Sequence, residues 1–409
     1  MKAPLLENLD KKSTYLLGCS FGPDSMMLLH LLKEQGFKTI VAMVNYQMRP
    51  EATNEENALR KYCQDNEIPF FLKRAKYHLE YGNFQSWARD FRYSYFNELY
   101  QRFDAQGLLL GHHLDDSIET YVMQKRKGLN LFYYGIKPVT RIMSMRVYRP
   151  LITATKQEIL EYCNQSKVPY ATDQSNFSNR YQRNLIRNNY LLHLSKEAKD
   201  DLIEEMRQKN QELETIQAKI DKQFSPFETI DIKSLESLNN IERSYLFYKF
   251  FTRVFPPKMY KSKYTLEIEK LISSHKPNAA INLKQYYIQR EYHFLRIIDK
   301  KDLNGYQYFL EKPVRLETPY FIIDFTKQSD KILISSNDFP LHIRTMKRGD
   351  RYRIHDYYVE VRRLFIDWKM PVSLRQRWPL VVNKNGEILY IPRYQVNYQP
   401  NDNSFLLIK

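Results

Sequence analysis

The sequence predicts an α/β protein with three parts. These are a parallel-sheet nucleotide-binding domain at the N-terminus (residues 1–200), a mainly helical middle region (201–312) and a small mixed α+β domain at the C-terminus (313–409). Three observations carry this. Apolar β-branched runs alternate with helical patterns through the first third of the chain, which indicates a parallel sheet with crossovers. Eight of the eleven glycines lie between Gly18 and Gly135, and none falls between 136 and 304. Glycine gathers where backbone turns tightly or approaches a ligand, so the first third is where chemistry is expected. After Pro313 the pattern changes to short alternating runs, FIIDF, KILISS, LHIRTM, PLVVN and EILYIP, which read as strands of a separate sheet.

Tyr15–Cys19 reads as a buried strand, and Asp24–Gln35 as a helix that stops at Gly36. Thr39–Val44 is a second strand, Glu55–Asp65 a helix and Ile68–Leu72 a third strand. Phe84–Phe103 is a long aromatic-studded helix. Leu108–Gly111 is a fourth strand, followed by a helix from Asp115 to about Lys125. Lys156 to Lys222 is mostly helical, and within it Asp201–Asp221 reads as a solvated connecting helix. Residues 230–310 mix helices with aromatic-rich sequence. Ligands of such sheets sit at the carboxyl ends of the strands.

Composition narrows the class. Apolar residues make up 43 % and charged residues 27 %, with a net charge of +16. That positive excess points to a polyanion partner, with a lysine-rich compositional bias as the alternative. Cys19, Cys63 and Cys163 form no C-x-x-C pair, which fits a reducing cytoplasm and argues against a thiolate metal site. The N-terminal MKAPLLENLDKKS has no apolar core of a signal peptide, and no run reaches the ~20 apolar residues of a membrane span. The expectation is a cytoplasmic protein with no membrane partner.

Two stretches carry chemistry. In the first, Ser20-Phe21-Gly22-Pro23-Asp24-Ser25, a strand ends in a small polar turn and enters a helix. Such a junction aims free N–H groups and the helix dipole at one point, which suits a phosphate. Ser20 and Ser25 can donate to phosphate oxygens, and Asp24 belongs there if Mg²⁺ bridges it to them. An ordinary N-cap by Asp24 is the alternative. The loop lacks G-K-[ST], so it is not a Walker loop. In the second, Gly111-His112-His113-Leu114-Asp115-Asp116-Ser117-Ile118-Glu119-Thr120, Asp116 and Glu119 share a helix face and His112 precedes them by a turn. Two carboxylates there can hold a metal or an ammonium, or simply complement the helix dipole.

Arg89 and Arg92, and Arg183 and Arg187, read in isolation as surface ion pairs, and their co-occurrence with a phosphate-type loop shifts the reading toward ATP or RNA phosphate contacts. Tyr93, Tyr95 and Phe96 read as core rather than as a base-stacking surface. Lys347, Arg348, Arg351, Arg353, Arg362, Arg363, Arg375 and Arg377 interleave with Tyr352, Tyr357, Tyr358 and Trp368 near the C-terminus. That composition suits an RNA surface or a solvated charged face.

The first loop resembles the S-G-G-x-D-S loop of the ATP pyrophosphatase (PP-loop) superfamily, with Phe21 standing where the first glycine belongs. The second stretch resembles the G-H-H-x-D-D-x-x-E-T signature of the tRNA(Ile)-lysidine synthases, a branch of it. Ala88-Arg89-Asp90-Phe91-Arg92-Tyr93 is similar to that family's A-R-x-x-R-Y helix. Asp173-Gln174-Ser175-Asn176 followed by Arg183-Asn184-Leu185-Ile186-Arg187 is similar to its D-x-S-N…R-N-x-I-R segment. Ile343-Arg344-Thr345, Gly349-Asp350-Arg351, Pro371 and Arg377-Trp378-Pro379-Leu380 resemble its terminal domain. The matches are collinear. Asn45-Tyr46 departs where the family usually carries a histidine.

The resemblance implies that ATP adenylates the C2 oxygen of the wobble cytidine in the CAU anticodon of tRNA(Ile), releasing pyrophosphate. L-lysine then displaces AMP to give lysidine. It implies an ATP site made by Ser20, Phe21, Gly22, Pro23, Asp24, Ser25 and His112, with Mg²⁺ on Asp24. Lysine is implied on Asp116 and Glu119, with one carboxylate to anchor and one to accept the proton. Deprotonating its ε-amine costs about 4–5 kcal/mol at pH 7. Arg92 and Arg183 are implied at the phosphates or the adenylated base, and Arg187, Lys347, Arg348, Arg351 and Arg377 at RNA. A homodimer is compatible with it. Phe21 puts a β-carbon and a ring where pyrophosphate would approach, which leaves open whether the loop keeps its geometry and its affinity for ATP. The rival readings are a tRNA base thiolase, a small-molecule synthetase and a catalytically impaired RNA-binding relative.

Overall fold

The computed structural model describes residues 4–48, 51–127, 132–171, 182–274, 276–325, 334–394 and 406–408. The chain divides into two compact units, Met1–Thr215 and Ile216–Lys409. The helix Lys196–Phe224 straddles the boundary. Among the described residues, no helix is long and apolar enough to cross a membrane.

The first unit is built on β1 (Thr14–Gly18), α1 (Pro23–Glu34), β2 (Lys38–Asn45), α2 (Glu51–Asp65), β3 (Phe70–Arg74), α3 (Phe84–Arg102), β4 (Gly107–Leu110) and α4 (Leu114–Arg126). The hairpin β5 (Val139–Ile142) and β6 (Met145–Tyr148), then α5 (Lys156–Gln165) and α6 (Gln182–Asn189), complete it. The strands lie in the order β3-β2-β1-β4-β6-β5. All neighbours are parallel except β5 on β6. The chain walks outward from β1 to β3, then returns to place β4 on the other side of β1. The order reverses between β1 and β4, the position where a parallel sheet leaves a crevice at its carboxyl edge.

Alternation along the strands builds two cores. Leu17, Val41, Met43 and Leu109 face α1, whose Met26, Met27, Leu28, Leu29 and Leu32 are fully buried there. Leu16, Ile40, Ala42, Leu108 and Leu110 face α3, which buries Tyr93, Tyr95, Phe96 and Leu99 against them. The aromatic stripe of α3 is therefore core, as its spacing predicts. Each fully buried large side chain of this kind contributes about 1.5–3 kcal/mol.

Several helices stop without glycine. After α2, Glu67 takes φ 56°, and Ile68 N–H donates to Cys63 O at 2.8 Å. After α5, Lys167 takes φ 51°, and Val168 N–H donates to Cys163 O at 2.8 Å. Both are left-handed caps that satisfy helix carbonyls.

The second unit contains a four-stranded antiparallel sheet, Thr229–Asp231, Phe294–Asp299, Tyr286–Glu291 and Asn278–Asn282 in spatial order, beside two helices, Asn240–Thr252 and Ser262–Ser273. The mainly helical middle region thus also carries a sheet. A six-stranded mixed sheet follows, from Gln307–Leu310 to Ile388–Tyr390, with a small three-stranded sheet completed by Leu406–Ile408. Of the predicted run KILISS, residues 331–333 lie outside the described residues, and Ser336 begins a 3₁₀ turn rather than continuing a strand.

Gly111 shows how closely the two carboxyl-edge loops meet. A Cβ at this position would lie 2.9 Å from the carbonyl carbon of Asp24 and 3.0 Å from Ser25 N. Backbone cannot step aside as a side chain can. Gly111→Ala is expected to destabilise the first unit by about 1–3 kcal/mol, the usual cost of overpacking, as a lower Tm in a thermal melt.

Candidate functional site

A cavity of about 660 Å³ opens at the switch point, lined among others by Ser20, Gly22, Asp24, Ser25, Arg92, Gly111 and His112. The predicted residues Ser20, Gly22, Asp24, Ser25, Arg92 and His112 are thus brought together. Phe21 and Pro23 are not in its wall. Ser25 is buried and pins the loop: its hydroxyl donates to Gly22 O at 3.0 Å and accepts from Ser20 N–H at 3.2 Å. Pro23 opens α1, where a missing N–H costs nothing.

Phe21 stands in the left-handed region, φ 63°, the conformation for which glycine is suited. Its ring is turned into the core beside α1 and is 7 % exposed. Its carbonyl accepts from Ala171 N–H at 2.9 Å. The side chain leaves the loop by the core side, so its ring is not part of the cavity wall. The strained backbone costs about 1–2 kcal/mol, while the buried ring contributes more than that.

Behind the loop lies a charge cluster. Lys156 Nζ sits 2.6 Å from Asp24 Oδ1, and Lys156 N–H donates to Asp115 at 2.7 Å. His113 Nε2 is 3.8 Å from Asp24 and 3.6 Å from Asp116, and its Nδ1 is 3.5 Å from Asp115. Burial works against the charged imidazole, but Asp115, Asp116 and Asp24 outweigh it and raise its pKa. Asp115 feels the converse: burial raises its pKa, and His113 with the Lys156 amide more than reverse this, leaving it lowered. Asp116 also accepts from the His113 amide at 3.1 Å, which caps the start of α4.

Glu119 is 1 % exposed, with Arg187 Nε 2.5 Å from Oε1 and an Arg187 terminal nitrogen 3.9 Å from Asp116. Arg187, expected at RNA, is therefore brought to the two α4 carboxylates. Burial disfavours its charge, yet Glu119 and the aspartates raise its pKa overall. Arg183 opens α6 one turn earlier, its side chain outside the described residues, as is the predicted Asp173–Asn176 segment. Lys347, Arg348 and Arg351 are exposed in the second unit. Their turn is held by a bidentate pair of Arg344 with Asp350 at 2.7 and 2.9 Å. Arg377 lines a separate cavity of that unit with Arg253 and Arg296.

Among the described residues, no cluster of three or more His, Cys, Asp or Glu could hold a metal by itself. Mg²⁺ accompanying a nucleotide needs less, since phosphates supply most of its ligands beside one or two carboxylates. Asp24, 27 % exposed in the cavity wall, fits that role. Sequence reading missed Lys156 and the bridging part of His113. Lys156 stands 132 residues from Asp24. The available signal was a Thr155-x-x-Glu158 capping box that places Lys156 at the first position of a helix.

Phe21→Gly is expected to lower stability by about 2–3 kcal/mol in urea unfolding, because the lost burial exceeds the relieved backbone strain. Arg187→Leu leaves a buried carboxylate without its guanidinium. A loss of about 2–4 kcal/mol is expected by the same measurement, toward the low end of broken buried pairs because Arg187 keeps 30 % exposure.

The chain matches the PP-loop domain family over residues 2–194 and the TilS substrate C-terminal domain family over 341–404. The tRNA(Ile)-lysidine synthase of Mycoplasma mycoides is 27 % identical over 401 residues, covering 94 % of this chain and 98 % of that one. That of Bacillus subtilis is 27 % identical over 431 residues, covering 93 % and 90 %. That of Mesomycoplasma hyopneumoniae is 39 % identical over 180 residues, covering 44 % of this chain and 60 % of its own length. With both domain families in place and relatives that run nearly end to end, the chain belongs to the tRNA(Ile)-lysidine synthase family of PP-loop proteins.

Proposed function

We propose that the protein ligates L-lysine to C2 of the wobble cytidine in the CAU anticodon of tRNA(Ile), at the expense of ATP, giving lysidine, AMP and pyrophosphate. The observation that supports this best is the meeting of two loops, distant in sequence, at one sheet edge. The phosphate-type loop and Gly111-His112, which lead into the carboxylate-bearing helix, line the same crevice, and Asp116 and Glu119 stand just beyond its wall.

In this reading Ser20, Gly22, Ser25 and the start of α1 hold the pyrophosphate part of ATP, with His112 and Arg92 in the same wall. Asp24 would hold a Mg²⁺ ion accompanying ATP, and that ion would supply positive charge to the leaving pyrophosphate. Lys156 holds the Asp24 carboxylate in place through the 2.6 Å ion pair. The incoming lysine ammonium is assigned to Asp116, which is 15 % exposed, while Glu119 is restrained by Arg187. Arg183, one turn before Arg187, is assigned to the phosphates or the adenylated base. Lys347, Arg348, Arg351 and Arg377 are assigned to the tRNA backbone. The setting is the cytoplasm, where ATP and unmodified tRNA meet.

Base thiolation is disfavoured by the thiols. Cys19, Cys63 and Cys163 are buried. Burial pushes their pKa values up to about 11, about 12 and about 11, so none is a ready thiolate. The impaired-enzyme reading rested on Phe21, whose ring lies outside the cavity.

The test is incorporation of radiolabelled lysine into unmodified tRNA(Ile) with a CAU anticodon, with and without ATP. Incorporation that requires ATP is expected, with Asp24→Ala and Asp116→Ala each lowering the rate by roughly 10²-fold or more. Retained tRNA binding with no lysine incorporated by the wild type would overturn the reading.

A further inference from the structure

A knot of aromatic rings adjoins the cavity. Trp87 on α3 packs against Tyr46 at 6.0 Å, Tyr77 at 5.3 Å, Phe84 at 6.1 Å and Phe91 at 5.5 Å between ring centroids. Tyr81 stacks on Trp87 at 5.8 Å with an interplanar angle of 14°. Tyr46 and Phe84 belong to the cavity wall, so the knot is continuous with the site.

The knot is held in place by its backbone. Tyr46 donates to Ala88 O at 2.7 Å, Tyr77 donates to Gly82 O, and Asn83 caps the start of α3 by accepting from Ser86 N–H at 3.2 Å. Yet it is not buried as a core would be. Tyr81 is 49 % exposed, and Met48, also in the cavity wall, is 61 % exposed. Rings fixed in position with open faces are suited to a planar ligand.

We propose that the Tyr81–Trp87 stack is a docking platform for an unpaired nucleobase of an RNA loop, flanking the base that enters the cavity. The proposal rests on the reading that this cavity modifies a base in a tRNA loop. Such a base must leave its neighbours, and a neighbour that stacks on protein offsets part of that cost. Arg92 in the cavity wall and exposed Arg89, one turn earlier, supply positive charge for the loop's phosphates, with Glu80 and Asp90 as the acids of the same stretch. The adenine ring of ATP would use Tyr46 and Phe84, inside the cavity, rather than Tyr81.

The experiment titrates the full-length protein with an RNA stem-loop carrying a CAU loop. A fully paired hairpin of the same length serves as control, and Tyr81→Ala is compared with Tyr81→Phe. Removing the ring is expected to weaken stem-loop binding about tenfold, the scale of one stacked base. Tyr81→Phe restores it, and KM for ATP is unchanged. Tryptophan fluorescence quenched by the stem-loop in wild type, with that component missing from Trp87→Phe, supports the same assignment. Stem-loop affinity in Tyr81→Ala equal to wild type overturns it, as does quenching of Trp87 by ATP alone with KM for ATP raised in Tyr81→Ala. Should the wild type show stem-loop quenching but incorporate no lysine, the reaction assigned above fails while the platform stands.

Discussion

Everything at the carboxyl edge of the first sheet depends on the approach of two loops across a single glycine. β1 and β4 are adjacent, so the turns that follow them compete for the same space, and Gly111 lets one backbone rest on the other. That contact brings the helix start bearing Asp24 within reach of the helix start bearing Asp116. Neither loop alone makes a site. The first offers backbone and hydroxyl donors at a helix start, and the second offers carboxylates at another. The sheet order, through its reversal between β1 and β4, is what turns two local motifs into one crevice.

The charge arrangement follows from that proximity. Asp24, Asp115, Asp116 and Glu119 crowd the junction, and a protein cannot hold so many carboxylates near one point without cations among them. Lys156, His113 and Arg187 provide these. The outcome is graded. Glu119 is sealed with its guanidinium, Asp116 is partly open, and Asp24 reaches the cavity.

The parts of this design legible in the sequence are those written in short spacing. The loop from Ser20 to Ser25, the Asp116–Glu119 pair and the strand–helix alternation all lie within single turns or single elements. Partners far apart in the chain were not legible. Nothing local links Lys156 to Asp24, or Arg187 to Glu119, 68 residues being an unreadable distance. The sheet at 278–299 was hidden for another reason: Asn278–Asn282 is short and polar at its ends, and its partners are crowded with tyrosine, so the alternation is faint. Phe21 was legible as a departure but not in its consequence, because which way a ring leaves the backbone depends on the hole available to it.

The glycine-free helix stops carry a consequence for how the first unit is punctuated. Glu67 and Lys167 adopt a left-handed cap against their own preference, held there because the next residue, Ile68 or Val168, packs onto the first core. Pro69 and Pro169, two residues beyond these caps, bar either helix from running further. Which residue takes the left-handed turn is set by packing, since Ile68 and Val168 must reach the core. The punctuation of the first unit is thus written locally as a barrier, and tertiary structure fixes the geometry of the stop in front of it.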